Sequence, residues 1–73
     1  MSKLDYCLEQ IKLLEKDEIF LVKDLFKGFE WKRLGTERLT LGTLFLSYVK
    51  EHPELEIEIL NKTSSNQQRY KKI

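Results

Sequence analysis

Leu55-Glu56-Ile57-Glu58-Ile59-Leu60, then Asn61-Lys62-Thr63-Ser64-Ser65-Asn66, then Gln67-Gln68-Arg69-Tyr70-Lys71-Lys72-Ile73, is the stretch that decides the fold. Leu55, Ile57 and Ile59 alternate with Glu56 and Glu58, the period-two pattern of a half-buried strand. The six residues 61–66 are polar and read as a turn. Residues 67–73 then return as a partner strand, with Tyr70 the residue placed to pack across the pair. The expected element is an antiparallel hairpin, 55–60 against 67–72.

Immediately upstream, Pro53 stops a helix. Two starts are open to that helix, Thr36 and Thr40. The later one is favoured, because Leu39 and Leu44 then stand in the hydrophobic-staple positions on either side of a Thr40 cap. It also leaves Arg38 in the turn before the helix rather than inside its apolar arc. At about 100° per residue, Leu41, Leu44, Phe45, Tyr48 and Val49 form the core-facing arc. Thr40, Thr43, Ser47, Lys50 and Glu51 occupy the opposite one. Gly42 lowers helix propensity by about 1 kcal/mol, which suits a close approach of another backbone or a phosphate. His52 falls at the helix end as a surface residue.

Further upstream, residues 28–36 are aromatic and punctuated by glycine, with Phe29, Trp31 and Leu34 as core plugs. Val22, Leu25 and Phe26 give a short helix over 22–27 that Gly28 closes. Ile-Phe-Leu-Val at 19–22 begins as a brief strand, placed at 18–21. Leu4, Cys7, Leu8, Ile11 and Leu14 recur at spacings of three and four, an amphipathic helix over 3–16 capped by Ser2 with Asp5 in the capping-box position. Cys7 lies in that stripe as a small core residue, with no basic partner to activate it.

The order is α-β-α-α-β-β: an α+β chain of three helices and a small antiparallel sheet, in the order of a winged helix-turn-helix. At 73 residues the chain is expected to form one domain, residues 1–73. One cysteine and one histidine exclude a disulfide framework and a zinc site built from those residue types. No glycine-rich phosphate loop or paired-carboxylate motif is present, so neither catalysis nor a cofactor or metal is expected. No apolar run approaches the roughly 20 residues of a membrane span, and no signal peptide is apparent; a cytoplasmic setting is the expectation.

Net charge is +1, but it is unevenly placed. Residues 61–73 carry Lys62, Arg69, Lys71 and Lys72 and no acid, whereas residues 1–60 carry nine Lys or Arg against twelve Asp or Glu. A winged helix presents the head of its third helix to the major groove. The candidate nucleic-acid-binding set is therefore Arg38, Thr40, Thr43, Ser47 and Lys50 on that helix, with Lys62, Arg69, Lys71 and Lys72 on the wing. Arg38 is the one long donor placed to grip a guanine edge. Glu51, Glu54, Glu56 and Glu58 oppose a broad phosphate-binding face. They keep open a second partner class, another protein, on the same fold. Double-stranded DNA or a protein partner, bound by a monomer or a homodimer, is what the residues support.

Val22-Lys-Asp-Leu-Phe26, Trp31-Lys-Arg-Leu-Gly35, Arg38 with Leu41-Gly42 and Phe45, and Gln68-Arg-Tyr-Lys71 together resemble a family of short proteins from Gram-positive bacteria and their mobile elements. The resemblance runs from Phe20 through Ile73. It implies a prokaryotic, cytoplasmic and non-enzymatic protein, compatible with a winged helix, and brings no activity with it.

Overall fold

The computed structural model describes residues 2–73. Helix α1 (Lys3–Ile11) is followed by strand β1 (Ile19–Phe20), a single 3₁₀ turn (Val22–Leu25), helices α2 (Gly28–Arg33) and α3 (Glu37–Glu51), a second 3₁₀ turn (Pro53–Leu55), and strands β2 (Ile57–Lys62) and β3 (Gln68–Lys72). The sheet is antiparallel in the order β1-β3-β2. The α+β class and the winged-helix topology read from the sequence are those of the structure.

Ser2 and Asp5 cap α1 reciprocally: the Asp5 N–H donates to Ser2 Oγ (3.1 Å) and the Ser2 N–H to Asp5 Oδ2 (3.3 Å). The helix stops at Ile11, short of the expected 16. Leu13 and Leu14 donate instead to carbonyls three residues back, and Asp17 adopts φ 72°. That bend lets the Asp17 N–H reach the Lys72 carbonyl (2.6 Å), so sheet hydrogen bonding wins over about one and a half more helical turns. The brief strand expected at 18–21 is present over Ile19–Phe20.

The expected helix over 22–27 is corrected. Only Val22–Leu25 forms a turn, with the Leu21 N–H donating to Asp24 Oδ2 (2.9 Å). Phe26 is extended, which carries its ring onto Tyr6 (5.0 Å between centroids) and Trp31 (5.8 Å). Gly28 therefore begins a helix rather than ending one. The Glu30 carboxylate, three residues past Lys27, accepts the Lys27 N–H (3.1 Å) and supplies the start signal. The aromatic stretch is itself the second helix, and the connection to the third shrinks to residues 34–36.

The hairpin forms with shifted ends, because Pro53–Leu55 coils and Glu56 turns left-handed (φ 58°) before β2 begins. Ile57 lies opposite Lys72, Glu58 opposite Lys71 and Ile59 opposite Tyr70. An irregularity between Ile59 and Lys62 puts an extra residue in β2 before Lys62 meets Gln68. The loop closes through the Thr63 N–H to the Gln67 carbonyl (2.8 Å), with Asn66 left-handed at φ 65°.

The core joins Cys7 and Ile11 of α1, Leu41, Phe45 and Val49 of α3, and Phe20 and Tyr70 of the sheet, with Val22, Leu25 and Leu34 between them. Its centre is aromatic. The Phe45 ring stands edge-on to Tyr70 (4.9 Å) and to Phe20 (6.3 Å), and Phe20 stacks on Tyr70 (5.6 Å). Trp31 and Ile57 pack against this core as expected, but Phe29 does not. It is 54% exposed, with the Arg33 guanidinium 5.2 Å from its ring centre. In a helix starting at Gly28, Phe29 falls on the outer side.

The Tyr70 hydroxyl is buried without a hydrogen-bond partner among the described residues, and desolvation pushes its phenol up to about 12. A buried unpaired hydroxyl costs roughly 1–3 kcal/mol. Tyr70→Phe keeps the ring stack and removes that cost. The expected result is an unchanged or higher denaturation midpoint, by about 1 kcal/mol; a loss of stability in urea titration would show that the hydroxyl is satisfied in solution.

Candidate nucleic-acid interface

Three residues separate α2 from α3. Gly35 adopts φ 55°, a conformation that glycine reaches without a Cβ penalty. The Leu34 side chain is buried beneath the turn. The Glu37 N–H donates to the Leu34 carbonyl (3.0 Å), so the chain re-enters a helix at once. A tight, glycine-bearing turn between two helices is the helix-turn-helix connection.

The start of α3 at Glu37 corrects the expected cap at Thr40. Leu39 and Leu44 do not staple; they are 81% and 49% exposed. Arg38 is helical yet not drawn into the core. All of residues 37–40 are exposed, one turn ahead of Leu41, the first buried residue of α3. From Leu41 onward one side of the helix is buried.

Of the expected site residues on α3, Arg38, Thr40, Thr43, Ser47 and Lys50 are all exposed. Arg38 Nε donates to the Gly35 carbonyl (2.9 Å), which braces the guanidinium across the turn and leaves its terminal nitrogens facing outward. Thr43 Oγ1 donates to the Leu39 carbonyl (3.1 Å). Glu37, an acid at this surface, is matched by Lys3 Nζ at 3.3 Å. Placing the second helix at 22–27 hid two further cations. Lys32 and Arg33 are exposed at the end of α2, directly before the turn.

The wing divides its cations. Strand alternation sets Tyr70, Lys72 and Gln68 on one face and Arg69 and Lys71 on the other. Lys71 lies opposite Glu58 and approaches Asp17 Oδ1 (3.8 Å). Arg69 Nε donates to the Asn61 carbonyl (3.0 Å), bracing the irregular end of the hairpin. Lys72 lines a groove of about 700 Å³ with Asp5, Glu9, Lys12 and Glu54, and makes no ion pair there among the described residues. Lys62, at the exposed end of β2, makes no ion pair among the described residues. The structure thus joins Thr40, Thr43, Ser47 and Lys50 on one side of α3, sets exposed Arg38 ahead of the opposite, buried side of Leu41, Phe45 and Val49, and does not bring all four wing cations to one stripe.

The remaining candidates for chemistry are occupied elsewhere. Cys7 is fully buried, and burial pushes its thiol up to about 12. His52 stacks on Tyr48 (4.0 Å between centroids) with Nδ1 2.7 Å from Glu54 Oε1. The Glu54 carboxyl is held below its usual range by its own backbone N–H and then by His52. No group of three His, Cys, Asp or Glu side chains is placed to hold a metal ion among the described residues. No helix of the described chain is long and apolar enough to cross a membrane.

A family model described as a domain of unknown function, DUF1413, matches residues 6–72. The chain belongs to this family. No curated protein and no solved structure matches it. The family match takes in α2, the turn, α3 and the wing, so the whole helix-turn-helix surface is DUF1413 sequence.

Gly42 stands apart within this surface. A Cβ built there meets no atom within 4 Å, so nothing inside the chain requires glycine. Gly42→Ala is expected to raise stability by about 1 kcal/mol through helix propensity. Thermal unfolding of the variant checks it, and a destabilised variant would reveal crowding that the fold does not account for.

Proposed function

We propose that the chain binds double-stranded DNA as a small winged-helix regulator, with the head of α3 in the major groove and α2 and the wing tip against the phosphates. The observation that carries this reading is the three-residue turn with left-handed Gly35, which leads directly into a first turn of α3 whose residues are all exposed. A groove-inserted helix contacts bases with its N-terminal residues. Here these are Arg38, Thr40 and Thr43, with Ser47 and Lys50 further along the same helix. Between Lys27 and Thr43, four cations (Lys27, Lys32, Arg33, Arg38) outnumber the acids Glu30 and Glu37. Lys62 and Arg69 would meet the backbone beside the groove; Lys71, beside Asp17, and Lys72, in a groove with the α1 carboxylates, contribute less. The chain acts as one domain, alone or as a homodimer. Its resemblance to short proteins of Gram-positive bacteria and their mobile elements fits a compact cytoplasmic regulator.

Phosphate contacts release counterions, so affinity falls with salt at a log–log slope of about −0.9 per phosphate. Anisotropy of labelled genomic duplexes across a salt series is expected to give micromolar binding at low salt and a slope of roughly −3 to −5, for three to five contacts. Lys62→Ala with Arg69→Ala weakens every duplex alike and flattens the slope.

A protein partner is the second reading, favoured by exposed Leu39 and Leu44 on α3 and by the acids from Glu51 to Glu58. Absence of duplex binding at low salt, with recovery of a stoichiometric protein complex, decides for it.

A further inference from the structure

We infer that α3 reads thymine: its exposed face meets the 5-methyl groups that thymines present in the major groove, so the preferred duplex is rich in A·T pairs. This rests on the DNA-binding reading above and narrows the class of DNA bound.

Leu39 is the most exposed large apolar side chain of the described residues, and it sits in the exposed first turn of α3. Thr43 lies one turn further along the same side. Its hydroxyl is committed to the Leu39 carbonyl at 3.1 Å, so its methyl is the group left for a ligand. Thr40 and the half-exposed Leu44 repeat the four-residue spacing beside them. The result is a strip of methyl and isobutyl groups where a groove-reading helix ordinarily carries amides and long donors.

Among base edges in the major groove, the thymine methyl is the apolar feature. Adenine is read by Asn or Gln, cytosine by Asp or Glu, and guanine by Arg or Lys, a part that falls to Arg38 alone at the head of this helix. The exposed residues from Glu37 to Lys50 include no Asn, Gln or Asp, and the one acid, Glu37, is paired with Lys3. The setting of the strip favours an anionic occupant over an apolar protein surface. Lys32, Arg33 and Arg38 stand exposed around the turn at its head, and Lys50 at its far end.

The test is anisotropy at fixed low salt on four short duplexes of one length: alternating A·T, the same with deoxyuridine for thymidine, alternating G·C, and the same with 5-methylcytosine. Uracil removes the methyl without changing base pairing, and 5-methylcytosine restores a major-groove methyl in a G·C frame. The wild-type chain is expected to lose about fourfold affinity for each contacted methyl removed, from roughly 0.8 kcal/mol per buried carbon, and to gain similarly from 5-methylcytosine. Leu39→Ala should bring the thymine-to-uracil ratio towards unity, with the loss of affinity falling on the thymine duplex more than on the uracil one. Thr43→Ser deletes the methyl and keeps the hydroxyl bond, so a partial loss of the ratio belongs to the methyl alone. Both side chains are exposed, so both variants fold.

Equal wild-type affinity for thymine and uracil duplexes overturns the inference and leaves DNA binding standing. So do variants that weaken all four duplexes alike. Failure to bind any duplex removes the DNA reading itself, and this inference with it. Self-association in sedimentation that Leu39→Ala disperses would instead assign the strip to protein contact.

Discussion

Phe45→Ala is expected to remove about 3–5 kcal/mol of folding stability. The ring is fully buried on α3 and touches both Phe20 and Tyr70, so truncation opens a cavity at the one place where helix and sheet aromatics meet. At roughly 0.05–0.15 kcal/mol per residue, 73 residues hold about 4–11 kcal/mol in all. The variant therefore sits at or near the unfolding threshold at room temperature. Phe29→Ala provides the contrast. Its ring lies outside the core with Arg33 above it, and its loss is expected to cost less than about 1 kcal/mol. Urea titrations of both variants make the comparison, and equal losses would mean that α2 packs with its other face inward. Duplex binding by Phe45→Ala should fall with the folded fraction, because α3 has no other seat.

Arg38→Ala is expected to leave stability within about 0.5 kcal/mol and to act on recognition. The guanidinium is exposed, and its only bond among the described residues is the brace to Gly35. Where it forks onto a guanine, its removal costs about 1–3 kcal/mol of discrimination between sites, roughly five- to 150-fold, while non-specific affinity changes far less. Arg38→Lys should not rescue, since an ammonium has neither the fork nor the Nε donor that braces the turn. The measurement is competition between a selected site and random duplex at one salt concentration. A uniform loss on both would reduce Arg38 to a phosphate contact.

Much of the fold was legible because local chemistry and tertiary packing agree there. The Ser2–Asp5 capping box, the apolar stripe through Cys7 and Ile11, the strand that carries Ile57 and the polar loop before Tyr70 each carry their own signal, and each formed, although Ile59, expected to face inward with Ile57, is exposed. On α3, Thr40, Thr43, Ser47 and Lys50 lie away from the arc of Leu41, Phe45 and Val49, and helical period alone places them on the exposed side.

Other features were settled only by packing. Nothing local to Phe26 says that it must extend to reach Tyr6 and Trp31, yet that contact ends the first short turn and moves the second helix to Gly28–Arg33. Lys32 and Arg33 enter the surface as a consequence. The start of α3 depended on Gly35 turning left-handed over buried Leu34, a choice that glycine permits but does not compel. The exposure of Leu39 follows from the helix start at Glu37, which puts it on the side of Thr43, and that of Leu44 from a buried arc that is no wider than Leu41, Phe45 and Val49. On the wing, strand alternation separates Lys72 from Lys71. Only the folded chain decides that Lys71 meets Asp17 and that Lys72 lies in a groove with the α1 carboxylates, while Lys62 does neither. Composition and spacing determine which groups a chain has and which side of an element they occupy; the distance between elements determines what those groups face.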